Sequence, residues 1–119
     1  MKSVRVYPKE LENDKKFIYA TLNSASGGRL SDVDPRNELQ CDAFVLGEST
    51  DITTGEVRNL LALKIRGEGI VYTVSNTFIT RFLDCVDTLE TLDFKFRVPH
   101  DKNKAGREYI SFELIYEVE

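Results

Sequence analysis

Alternation dominates the second half of the chain. Between Leu92 and Val98, the residues Leu92, Phe94, Phe96 and Val98 fall on one side and Asp93, Lys95 and Arg97 on the other, the period-two signature of a half-buried strand. The stretch from Tyr109 to Val118 repeats the pattern, with Ile110, Phe112, Leu114, Tyr116 and Val118 on one face and Tyr109, Ser111, Glu113 and Ile115 on the other. Between them runs a polar segment, His100 to Arg107, with Gly106 where a hairpin needs a positive φ, so the two strands are expected to pair across it. Just upstream the period changes. Ser75 is a good N-cap, and Phe78, Ile79, Phe82, Leu83, Val86 and Leu89 recur at three-and-four spacing, which predicts an amphipathic helix closing one end of a core.

Earlier segments extend the strand pattern. Leu60 to Arg66 and Ile70 to Val74 flank the turn Gly67-Glu68-Gly69. In the longer run from Val57 to Arg66, Leu61, Leu63 and Ile65 oppose Ala62, Lys64 and Arg66. Phe17 to Leu22 reads as a strand with Ile18, Ala20 and Leu22 on one face and Phe17, Tyr19 and Thr21 on the other. Leu39 to Gly47 reads as another, apolar on both faces, so its inward side is not assigned. The overall order is taken as β-β-β-α-β-β: an all-β domain with one helix, the order of the five-stranded OB-fold barrel. Residues 17–119 form that domain. Residues 1–16 form an N-terminal extension, in which Val4 and Val6 alternate with polar neighbours up to Pro8 as an edge strand.

Composition narrows the function. With 30% charged and 41% hydrophobic residues over 119 positions, the chain has enough apolar content for one core and is not a disordered tail. No apolar run reaches membrane-spanning length and no signal-like segment opens the sequence, so a cytoplasmic protein with no membrane partner is expected. Cys41 and Cys85 are far apart and lie in apolar patterns, as buried free thiols do. The net charge of -4 argues against holding duplex DNA by phosphate neutralisation alone, but suits a single-strand binder with a local basic groove and aromatic stacking.

Single-strand binding needs π faces for bases and cations along the backbone. The candidates are Phe17, Tyr19, Tyr72 and Tyr109 for stacking, with Lys64, Arg66, Lys95, Arg97, Lys102, Lys104 and Arg107 following phosphates. Against Tyr72 stands its shared parity with Ile70 and Val74, the mark of a core position. His100, the single histidine, falls in the hairpin, and no nucleophile elbow, P-loop or metal-ligand spacing occurs, so no catalysis and no cofactor are expected.

Several of these features recur together in one family. They are the strand leading into a Gly-Gly loop (Phe17 to Gly28), the strand after a Pro-containing turn (Leu39 to Gly47), and the run from Gly67 to Thr77 entering the helix. The run from Leu89 to Val98 and the lysine-glycine hairpin complete the set. From about Phe17 to Tyr116 the chain resembles the single-stranded DNA-binding proteins of small Gram-positive bacteriophages with protein-primed replication, and related proteins of mobile genetic elements. The resemblance implies an OB-fold that coats and protects displaced strands during DNA replication, working beside replication proteins, with the family tyrosine just before the helix falling on Tyr72. The loop Glu48 to Glu56 carries none of the tyrosines that family members can place there. The alternative is a non-enzymatic protein-protein module, a phage-encoded inhibitor or assembly factor on the same barrel.

Overall fold

The computed structural model describes residues 2–23 and 28–116. Within them the chain runs from β1 (Lys2–Tyr7) through a 3-10 turn (Lys9–Leu11) to α1 (Lys15–Asn23), then β2 (Gly28–Arg29) and a second 3-10 turn (Leu30–Asp32). There follow β3 (Cys41–Thr50), β4 (Val57–Ile65), β5 (Gly69–Thr73), α2 (Asn76–Leu89), β6 (Phe96–Arg97), β7 (His100–Lys102), β8 (Glu108–Ile110) and β9 (Glu113–Leu114). Five strands form one sheet in the order β1-β3-β4-β5-β2, antiparallel except for the parallel β2–β5 pair. The ribbons β6–β9 and β7–β8 stand apart from it. The architecture is therefore mostly β with two helices, and the five-stranded sheet is not closed into a barrel. A single bridge, Leu39 to Phe96, ties the entry to β3 to β6 through N–H to O=C distances of 2.8 and 3.0 Å.

The segment expected as a first strand, Phe17 to Leu22, is helix α1. Two signals outweigh its short alternation. The Asp14 carboxylate accepts the Phe17 N–H at 3.0 Å and the Asp14 carbonyl accepts the Ile18 N–H at 3.0 Å, a complete N-cap. Phe17, Ile18, Thr21 and Leu22, spaced i, i+1, i+4 and i+5, then form the less exposed side, with Thr21 buried. α1 lies against β3 and β4. This explains the two-sided apolar character of β3: Phe44 and Leu46 join the main core, while Val45 and its partner Ala62, buried but outside that cluster, take the other face.

The main core lies between the sheet and α2. Ser75 caps α2 by accepting the Phe78 N–H, and the expected stripe is buried at Phe78, Ile79, Phe82 and Val86, whereas Leu89, at the last turn, is exposed. Phe82 is the hub, with ring centroids 5.4 Å from Phe44, 5.7 Å from Phe78 and 5.8 Å from Phe96.

The two C-terminal strands are shorter than the alternation predicts. Leu92, Phe94, Phe96 and Val98 do face the core, but only Phe96–Arg97 pairs, opposite Glu113–Leu114. Pro99 supplies the break, since it has no N–H to donate and its carbonyl instead accepts from Ser111 at 2.9 Å. The continuous strand expected from Tyr109 splits into β8 and β9 around this contact. Tyr116, expected on the inward face, is 79% exposed beyond the end of β9; Val118, Gly27 and Met1 lie outside the described residues.

Candidate nucleic-acid interface

The register of β5 decides where Tyr72 points. Val71 and Thr73 are buried toward α2, so Ile70, Tyr72 and Val74 take the outer face of the sheet and Tyr72 is not a core residue. Its cross-strand neighbours are Ala62 on β4 and Arg29 on β2. Because paired residues point to the same face, the Arg29 Nε reaches the Tyr72 hydroxyl and donates to it at 3.2 Å. That hydrogen bond and the charge interaction with Tyr72, followed by the nearby Asp32 carboxylate, raise the Arg29 pKa above the usual guanidinium value.

Beyond the end of β5 the surface opens into a cleft of about 790 Å³ whose walls include Arg29, Asp32, Tyr72, His100, Glu108 and Tyr109. One wall comes from β2 and the following 3-10 turn and the other from the base of the β7–β8 hairpin. The Ser75 hydroxyl holds the two sides together by donating to the Ile110 carbonyl at 3.3 Å while accepting from Phe78. His100 also contributes to the depression of Asp34, whose carboxyl is held down at about 2, chiefly by hydrogen bonds from Arg36. The cleft thus joins two phenol rings, one guanidinium, one imidazole and two carboxylates at an open surface.

The basic candidates divide by pairing. Arg66 is committed to Asp42 at 2.7 Å and is raised by that hydrogen bond, and Arg97 sits between Glu38 at 3.2 Å and Glu113 at 3.9 Å. A guanidinium already neutralised by carboxylate has less to offer a phosphate. Lys64, Lys95, Lys102, Lys104 and Arg107 are exposed and make no ion pair among the described residues. Three of these, Lys102, Lys104 and Arg107, belong to the hairpin whose base carries His100, Glu108 and Tyr109. Its tip is ordered by Asn103, whose side chain accepts the Ala105 and Arg107 N–H groups at 3.0 Å each.

Tyr72 and Tyr109 are therefore brought into one cleft, beside the hairpin cations. Phe17 and Tyr19 are not among its lining residues: they ride on α1, Phe17 half-buried and Tyr19 71% exposed. Lys64 shares the outer face with Tyr72, two pairs further along the β4–β5 ladder. Arg29 and His100 were not among the candidates read from sequence. Arg29 is placed by a parallel pairing across 43 residues, for which the sequence carries no local signal. His100 could have been found, since it opens the hairpin already singled out for its lysines.

No group of three or more His, Cys, Asp or Glu side chains among the described residues is placed to hold a metal ion, and no helix there is long and apolar enough to cross a membrane. No family model, curated protein or solved structure matches the chain.

Proposed function

We propose that the protein binds single-stranded DNA without catalysis, coating and protecting displaced strands during replication of a phage or mobile element, on an open version of the OB-fold. The observation that carries this reading is the convergence of Tyr72, Tyr109, Arg29 and His100 in one open cleft at the base of the hairpin that carries Lys102, Lys104 and Arg107, which make no ion pair among the described residues. Stacking on such rings contributes about 1 to 3 kcal/mol per base, and the hairpin cations follow the backbone.

The strand order supports the OB-like reading. β3, β4 and β5 precede α2, and β6 to β9 follow it, while the Leu39–Phe96 bridge joins the first of these strands to the fourth segment as a partly open barrel requires. OB-folds hold oligonucleotides on the face of their second and third strands and on the loops between strands one and two and strands four and five. In this chain that face is the outer side of β4–β5, which α1 partly covers at Ala62 and on which Lys64 is exposed and Tyr72 half-buried, and the later loop is the basic hairpin. The chain has no tryptophan, so its five tyrosines report directly. Titration with an unlabelled dT oligomer is expected to quench tyrosine emission in wild type, and an unchanged emission at saturating oligomer counts against the cleft.

One observation favours the rival reading of a protein-binding module. β1 occupies a sheet edge, with Val4 51% exposed and a shallow groove running along Ser3 to Tyr7. An edge of this kind accepts an added strand from a partner. That reading predicts no affinity for oligonucleotides at any salt concentration.

A further inference from the structure

We infer that the cleft admits a base rather than a phosphate, and that among the four bases it favours guanine. The inference rests on the single-strand reading above and concerns what that same cleft distinguishes. Asp32 and Glu108 line the cleft together with both tyrosines, and neither carboxylate is in an ion pair among the described residues. Asp32 and Glu108 together outweigh the one guanidinium, Arg29, that shares the cleft and so disfavour a phosphate at close range, whereas Lys102, Lys104 and Arg107, in no ion pair among the described residues, lie outside on the hairpin. A strand therefore lies most favourably with its backbone along Lys102, Lys104 and Arg107 and one base turned inward onto Tyr72 or Tyr109.

The polar groups around those rings then meet the edge of the base. A carboxylate only accepts hydrogen bonds, and the guanidinium of Arg29 only donates. The Arg29 Nε is used on the Tyr72 hydroxyl, which leaves the four terminal N–H donors for a ligand. Guanine answers both demands: N1–H and the N2 amino group lie side by side for one carboxylate, and O6 and N7 accept from an arginine. Cytosine and adenine offer a carboxylate one amino group, flanked by an acceptor. Thymine offers a single N–H between two carbonyl oxygens, both of which a carboxylate repels. The expected order is guanine above cytosine and adenine, with thymine last.

The test uses fluorescence anisotropy with the full chain and labelled dT12, against the same strand with its central residue replaced by dG, dI, dC or dA. Hypoxanthine keeps the purine ring, O6 and N7 but lacks the N2 amino group, so it separates edge reading from stacking. The dG strand is expected to bind about tenfold more tightly than dT12, within the discrimination a well-placed bidentate pair provides, and dI is expected to fall between them. In the Asp32→Asn, Glu108→Gln double variant the loss of negative charge tightens binding to every strand, but the dG to dT12 ratio falls toward one. Equal binding of dG, dI and dA strands, or a ratio untouched by the double variant, overturns the guanine preference while leaving single-strand binding in place. No binding to any strand at low salt overturns both.

Discussion

The Arg29 Nε donates to the Tyr72 hydroxyl at 3.2 Å, joining β2 to β5 at the mouth of the cleft. The contact holds a ring and a cation in one place on the outer face, where neither is needed for the core. Tyr72→Phe removes the hydrogen bond and keeps the ring, so binding to a dT oligomer is expected to persist. Tyr72→Ala removes the stacking surface and is expected to weaken binding by about 1 to 3 kcal/mol at every salt concentration. Because Val71 and Thr73, not Tyr72, face the core, the Ala variant should unfold at nearly the wild-type denaturant midpoint; wild-type affinity in a folded Ala variant would pass the stacking role to Tyr109.

Charge pairing separates cations held by carboxylates, such as Arg66 and Arg97, from those in no ion pair among the described residues, such as Lys104 and Arg107. Replacing Lys104 and Arg107 together by Ala is expected to flatten the dependence of log K on log salt by about 1.4, two phosphates at roughly 0.7 each for single strands. Arg97→Ala, which breaks contacts to Glu38 and Glu113, should change that slope little. Equal slopes for wild type and the hairpin variant would remove Lys104 and Arg107 from the interface.

The core centres on Phe82, fully buried and in ring contact with Phe44, Phe78 and Phe96 among others. Phe82→Ala is expected to cost about 3 to 5 kcal/mol in chemical denaturation. The Asp14 cap gives a milder test of the α1 assignment: Asp14→Ala should cost about 1 kcal/mol. No loss would mean that the hydrogen bond to Phe17 does not support a helix.

Burial pushes the Cys41 thiol up to about 12 from a reference value of 9.0. A group whose folded pKa exceeds its unfolded one contributes stability below the unfolded value and loses it as pH rises through the folded one. Stability should therefore decline from about pH 9 toward 12, and Cys41→Ala should show a shallower decline over that window. In native protein near pH 8, Cys41 should resist alkylation until the chain unfolds.

Much of this fold is written in local pattern. Ser75 and the stripe from Phe78 to Val86 mark α2 because cap and period agree over a long segment. Phe17 to Leu22 misleads because six residues satisfy both periods: Ile18, Ala20 and Leu22 alternate, yet Phe17, Ile18, Thr21 and Leu22 form a helical side once Asp14 caps it. The two-sided burial of β3 made its inward face unassignable without α1, which covers the second side. At the cleft, Tyr109 was legible as an outward ring, whereas the outward direction of Tyr72 was not, because its parity with Ile70 and Val74 reads as a core position and only the burial of Val71 and Thr73 turns it outward. Arg29 was not, because its position depends on a parallel pairing made across a long stretch of chain. Arg66 and Arg97 read as free cations since their carboxylate partners are distant in sequence.

The most direct test of single-strand binding is an anisotropy titration at low salt comparing a labelled single strand with the duplex of the same length and sequence. A clear preference for the single strand, lost in part with Tyr72→Ala and competed by unlabelled dT oligomer, is the expected result. Equal affinity for strand and duplex, or no binding to either, would contradict the account and leave the exposed edge of β1 as the surface to pursue.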